Sequence, residues 1–105
     1  MLESILPSSA TRVVLHLEPI DVRWGPDKLA TFCREAMGIE PDLSTCFLFV
    51  NRRRDTLLMY FLGSDGGETL MKRLDRGSFL LPAPSADGAP YLVLRPSMLP
   101  RLFRA

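Results

Sequence analysis

The sequence predicts an α+β domain: an antiparallel sheet of about four to six strands with one main helix packed on a face. Apolar residues over 29–37 recur with helical spacing, which indicates a single amphipathic helix. Short β-branched or aromatic runs over 12–17, 46–50 and 56–62 are separated by turn residues, which is typical of strands. A chain of 105 residues, of which 47% are hydrophobic, is long enough for a single domain with one core.

The amino-terminal part contains the first strand and the helix. Arg12–Leu17 is rich in branched and apolar residues, and Pro19 ends this strand. Gly25-Pro26-Asp27 opens the helix, because proline fits the first helical position and an acidic residue favours the first turn. Gly38 ends it. One helical face collects the apolar side chains of Leu29, Phe32, Cys33, Ala36 and Met37.

Three strands joined by short turns follow the helix. They are predicted over Cys46–Val50, Thr56–Leu62 and Thr69–Leu74, and the glycine-rich turn 63–67 joins the last two. A short fifth strand is predicted over Ser78–Leu81. The predicted core comprises the apolar residues expected to face inward from these elements: Val14, Leu29, Phe32, Met37, Phe47, Phe49, Leu57, Met59, Phe61, Leu70 and Phe79.

The carboxy-terminal part is a loop over 82–90, a candidate last strand over Tyr91–Leu94 and a short terminal helix over Ser97–Phe103, which Pro100 shortens. The chain is therefore expected to be one domain, 1–105, with a tail (1–10), a core (11–82) and a loop with a C-terminal extension (83–105).

Composition excludes several classes of function. Cys33 and Cys46 form no CxxC pair and are expected to be buried thiols of a protein in a reducing compartment. The sole histidine, His16, lacks the further His or Cys ligands that a metal site would need. Neither a metal, nor a cofactor, nor catalysis is expected. The longest apolar run, Leu57–Leu62, is too short to span a bilayer, and the amino terminus lacks the pattern of a signal peptide. A cytoplasmic protein with no membrane partner is expected.

The net charge is only +1, so any binding of nucleic acid must depend on local clusters of basic residues. Antiparallel strands bring the turn between the second and third strands to the end of the fourth strand. Basic residues occupy both places, and phosphate is their usual partner. We call this set the basic surface: Arg52, Arg53, Arg54, Lys72, Arg73 and Arg76.

Two other interpretations of the basic surface stay open. The arginine turn would be a solvated tip with Asp55 as its cap, or the arginine-rich composition would reflect a GC-rich genome.

Just before the helix, Asp21 and Arg23 are expected to form an ion pair that fixes the corner between the first strand and the helix. The alternative is that Arg23 and Trp24 contact a partner, with Trp24 stacking on a base or packing on a protein.

Four segments occur in a characteristic order along the chain. They are Asp21-Val22-Arg23 with Gly25 and Leu29, Phe47–Val50, Asn51–Asp55, and Lys72–Gly77 with Phe79 and Pro82. In this order they resemble the small accessory protein of IS-66-type insertion sequences, the TnpB-like product of the second open reading frame. The resemblance runs from about Arg12 to Pro82.

The resemblance implies a non-catalytic helper of DNA transposition, encoded beside a separate transposase, that acts through contacts with the DNA backbone, the transposase or both. An adaptor that binds the transposase or a second copy of itself, forming a homo-oligomer, without binding DNA is one alternative. A diverged copy that has lost function is another, because Leu81 and Trp24 depart from the family pattern.

Overall fold

The computed structural model describes residues 6–99. Five strands and one α-helix form its regular structure, and a 3-10 turn over Pro96–Met98 follows the last strand. In chain order the elements are β1 (Arg12–His16), α1 (Pro26–Ala36), β2 (Thr45–Val50), β3 (Thr56–Gly63), β4 (Gly66–Arg73) and β5 (Tyr91–Leu94).

The strands form one sheet in the order β4-β3-β2-β1-β5. The predicted α+β class, the number of strands and the single helix are confirmed. One pair differs from the expected antiparallel arrangement, because β1 and β2 are parallel while the other three pairs are antiparallel. The reason is the intervening helix, since a chain that crosses back over one face of the sheet enters the next strand from the same end.

The three central strands are buried on both faces. Helix α1 covers one face with Leu29 and Cys33, while Phe79 and Leu99 cover the other. This two-sided burial explains why β2 and β3 have continuous apolar runs rather than alternating ones.

The prediction of a fifth strand over Ser78–Leu81 is wrong, because this segment has no regular secondary structure. After β4 the chain bends at Gly77, whose φ is +77°, and Phe79 then packs into the core on the face opposite the helix. The last sheet strand is instead β5, which pairs with β1. The helix predicted over Ser97–Phe103 begins as a 3-10 turn, and residues 100–103 lie outside the described residues.

Most of the predicted core is buried, with three exceptions. Phe32 and Phe61 are half-buried and pack against the core. Leu70 was predicted to be in the core but is 42% exposed, because β4 is an edge strand and this part of its surface is uncovered. The turn before β4 is also tighter than predicted, since Gly63 pairs directly with Gly66.

Candidate nucleic-acid interface

The arginine turn between β2 and β3 is built around the side chain of Asn51. Its Oδ1 accepts hydrogen bonds from the backbone N–H groups of Asp55 and Thr56, both at 3.1 Å. Its Nδ2 donates a hydrogen bond to Asp55 Oδ1 at 2.6 Å. The same Asp55 oxygen also accepts a hydrogen bond from Thr56 Oγ1 at 3.1 Å. The hydrogen bond from Asn51 is the main reason that the pKa of Asp55 lies below its ordinary value, and Thr56 and the nearby Arg73 charge contribute. Asp55 was predicted to cap the turn, but the residue that caps its backbone N–H groups is Asn51, and Asp55 supports the turn through side-chain hydrogen bonds.

Arg54 closes this turn in the left-handed backbone conformation, with φ +59°. Its N–H donates to the carbonyl of Asn51 at 3.0 Å, and its own carbonyl accepts from the N–H of Phe79 at 2.6 Å. A non-glycine residue at such a φ costs about 1–2 kcal/mol. These contacts fix the backbone that presents the three arginines.

The sheet brings the end of β4 to this turn, as the sequence predicted. The N–H of Leu74 donates to the carbonyl of Asp55 at 2.7 Å, and Arg73 is the register partner of Thr56. Lys72 is opposite Leu57 and therefore lies on the face away from the helix, whereas Arg73 lies on the helix face. Arg76 is exposed in the bend that follows β4.

The three arginines of the turn line three different depressions. Arg53 shares a shallow groove of about 340 Å³ with Arg73 and Arg23. Arg52 lines a larger depression of about 620 Å³ that includes Trp24, and Arg54 lines a small one of about 150 Å³. The basic surface is therefore not one flat patch. Two of its members, Arg53 and Arg73, share what we call the arginine groove, which is lined by Val22, Arg23, Asn51, Arg53, Asp55, Thr56, Met71 and Arg73.

Arg23 in the arginine groove is the residue that sequence reasoning did not connect with the basic surface. Segment 20–24 reaches the groove because the N–H of Ile20 donates to the carbonyl of Val50 at 2.9 Å, at the end of β2. No local pattern in the sequence indicates this contact between segments thirty residues apart.

The residues of the basic surface have no carboxylate within 4.0 Å in the described part of the chain. Three arginines that are not members of the basic surface are paired: Arg12 with Asp42, Arg23 with Asp21 and Arg34 with Glu40. Among residues 6–99, the positive charges of Arg53 and Arg73 in the groove therefore have no counter-ion in direct contact, and Arg73 has only the more distant attraction of Asp55.

The ion pair predicted between Asp21 and Arg23 is confirmed. Arg23 Nε donates to Asp21 Oδ1 at 3.0 Å, and Nη2 donates to Oδ2 at 2.9 Å. The side-chain hydrogen bond from Arg23, followed by its backbone N–H, lowers the pKa of Asp21 to about 2. The Arg23 side chain is 86% exposed, so a partner can still reach it.

Trp24 is half-buried and packs on Phe32, with 5.4 Å between the ring centroids. The Lys28 ammonium lies 4.6 Å from the Trp24 ring centroid. These contacts occupy part of the indole surface. The contact of Arg23 and Trp24 with a partner stays a prediction.

The remaining chemically reactive side chains are packed in the core. Burial raises the pKa of the Cys33 and Cys46 thiols to about 12, and both cysteines are free and buried, as predicted. His16 is also buried: its Nδ1 lies 2.8 Å from the carbonyl oxygen of Glu18, and burial lowers its pKa. Across residues 6–99, no three His, Cys, Asp or Glu side chains are grouped so that they could hold a metal ion. Within the same range, no helix has the length and apolar character needed to cross a membrane.

Comparison with known proteins identifies the family. Residues 11–103 match the family model described as IS66 Orf2 like protein. The uncharacterized protein y4jC of Sinorhizobium fredii (strain NBRC 101917 / NGR234) is 30% identical over 83 residues, which cover 79% of this chain and 70% of the relative. No solved structure matches the chain. The match extends beyond the segment on which the resemblance rested and includes β5. The chain therefore belongs to the IS66 Orf2-like family of insertion-sequence accessory proteins.

Proposed function

We propose that this protein supports DNA transposition by binding backbone phosphates of DNA through its basic surface. The observation that carries the proposal is the arginine groove, where Arg53 and Arg73 come together from separate segments and no carboxylate of the described residues 6–99 is in contact with them. Holding like charges close together costs free energy, which a bound phosphate would offset. The guanidinium fork also suits phosphate, because it can donate two hydrogen bonds to one group.

The groove favours recognition of the backbone rather than of base sequence. Asp21 already balances much of the charge of Arg23, which leaves Arg53 and Arg73 as the principal cations. The groove is shallow and open, so it would accept a phosphate at the surface of a duplex and would not reach base edges. Affinity should accordingly depend steeply on salt and weakly on sequence.

The test compares two double variants that remove the same net charge. Arg53→Ala/Arg73→Ala removes the two principal cations of the groove and leaves Arg23, which is paired with Asp21. Arg34→Ala/Arg95→Ala is the control: Arg34 lies near Gly67, at the start of β4, and Arg95 follows β5 at that same end of the sheet. Fluorescence anisotropy with a labelled duplex of about 20 base pairs, in salt from about 50 to 200 mM, gives the affinity and its salt dependence.

We expect the groove variant to flatten the log–log salt slope by about two units and to weaken binding at least about tenfold at the lowest salt. The control should keep the wild-type slope. Equal losses in the two variants would show that only net charge matters and would contradict the proposal.

A protein adaptor is the second candidate function, and the exposed strand β4 favours it. Leu70 and Met71 on this strand are 42% and 51% exposed, and a partner that paired with the strand edge would cover part of their apolar surface. In this case the partner is the transposase encoded beside the protein. A pull-down with that transposase after nuclease treatment separates the two functions, because a complex that survives favours the adaptor and one that is lost favours a DNA bridge.

Trp24 provides a further test of where DNA binds. It is the sole tryptophan and lines the same depression as Arg52. A change in its fluorescence when duplex is added, abolished by Arg52→Ala, would place a ligand at this depression. An unchanged spectrum under saturating DNA would exclude Trp24 as a stacking partner.

A further inference from the structure

Strand β4 forms one edge of the sheet and presents an open hydrogen-bonding edge. It is eight residues long, its only neighbour is β3, and no segment among residues 6–99 pairs with its other side. The opposite edge strand, β5, has only four residues. Seven of the eight residues of β4 are exposed, and Gly67 is the exception. A long exposed edge of this kind is a template for pairing with another strand.

The hydrogen bond from the Leu74 N–H to the Asp55 carbonyl shows that Leu74 and Asp55, which continue the register of β4 and β3, form a hydrogen-bonded pair. This pair indicates which backbone groups of β4 bond to β3 and which point outward. Hydrogen-bonded and non-hydrogen-bonded pairs alternate along an antiparallel ladder, so the residues at even-numbered positions of β4 bond to β3. The N–H and C=O groups that point outward therefore belong to Gly67, Thr69, Met71 and Arg73. None of these is proline, so each offers a donor and an acceptor.

We propose that β4 pairs with β4 of a second copy of this chain, antiparallel and about a two-fold axis at Leu70. A two-fold axis perpendicular to a sheet places residues of the same face opposite each other. With the axis at Leu70, Glu68 of each copy lies opposite Lys72 of the other, so opposite charges pair on both sides of the axis. All the outward-pointing backbone groups then find partners, in up to about eight hydrogen bonds.

The neighbouring registers lack this complementarity. With the axis at Thr69, Glu68 lies opposite Leu70, and with the axis at Met71, Lys72 lies opposite Leu70. The register at Leu70 also covers the apolar side chains that β4 exposes, because the two Leu70 side chains meet across the axis and Met71 packs beside Thr69 of the other copy. Charge and apolar pattern thus select the same register.

This inference does not rest on DNA binding, and its test contains no DNA. Leu70 forms a non-hydrogen-bonded pair with its copy, where the Cα atoms are about 4.5 Å apart. That separation suits a disulfide, whereas the two Met71 Cα atoms would be about 8 Å apart, too far for one. Leu70→Cys should therefore give a covalent dimer under mild oxidation, and Met71→Cys, which is at least as exposed, is the matched control. The native Cys33 and Cys46 are buried and do not compete.

We expect Leu70→Cys to cross-link at least about tenfold faster than Met71→Cys on non-reducing gels, at equal protein concentration. Equal rates, or no cross-linking of Leu70→Cys, would overturn the proposal. A charge exchange tests the register by sedimentation: Glu68→Lys alone should weaken the dimer, and Glu68→Lys/Lys72→Glu should restore it. Failure of the double variant to restore association, while its circular dichroism matches that of wild type, would also overturn it.

Discussion

Removal of the Asn51 side chain tests whether it holds the arginine turn. Asn51→Ala deletes two hydrogen bonds to backbone N–H groups and one to the Asp55 carboxylate. Each such bond contributes about 1 kcal/mol net. Because Asn51 is only half-buried and water can replace part of the loss, we expect the free energy of unfolding to fall by about 2 kcal/mol.

Urea unfolding followed by circular dichroism measures this change. With a slope of about 1–3 kcal/mol per molar urea, the midpoint should fall by about 1 M. Arg52→Ala is the matched control in the same turn, because its side chain is exposed and makes no hydrogen bond within residues 6–99. A loss of less than about 0.5 kcal/mol in Asn51→Ala, or an equal loss in both variants, would refute the assigned role of Asn51.

Three further substitutions test the local geometry. The pKa of Asp21 is lowered to about 2 in the folded protein, against a pKa near 3.9 in the unfolded chain. Its ion pair therefore stabilises the fold fully above about pH 3.9, and this stabilisation is lost as the pH falls through about 2. Asp21→Asn should melt at a lower temperature than wild type at pH 7, and the two proteins should melt together below about pH 2. Arg54→Gly should unfold with a free energy about 1 kcal/mol higher than Arg54→Ala in urea, because only glycine relieves the positive φ; an equal value would show that the conformation is not strained. Gly67→Ala should lower the free energy of unfolding by about 1–3 kcal/mol, because the added Cβ would lie 3.0 Å from Pro26 Cβ and from Tyr60 Cε1. Thr69→Ala, at an exposed position of the same strand, is the control and should lower it by less than about 0.5 kcal/mol in the same urea titration.

Local patterns were sufficient for the helix and for most strands. The spacing of Leu29 and Cys33, with Pro26 at the start, predicted α1, because burial of one helical face depends on positions close in sequence. The runs that became β2 and β3 were recognised within a residue or so at each end. The antiparallel pairing of β3 with β4 followed from the same short-range reasoning, so the approach of Arg73 to the arginine turn was also predictable.

The parts that sequence did not predict depend on distant contacts. The parallel pairing of β1 with β2 follows from the path of α1 over the sheet. Phe79 looked like part of a strand because its neighbours are apolar, but it is a core residue on an irregular segment. Leu70 looked like a core residue, and only the order of strands reveals that it lies at an uncovered edge. Arg23 joins the arginine groove through a contact between segments thirty residues apart.

The affinity of the wild-type protein for duplex DNA, measured as a function of salt, tests the central claim most directly. We predict binding at about 50 mM salt that weakens steeply toward 200 mM, with a slope that Arg52→Ala/Arg53→Ala/Arg54→Ala flattens by up to about three units. Absence of DNA affinity at about 50 mM salt, or a slope that this triple variant leaves unchanged, would contradict the account.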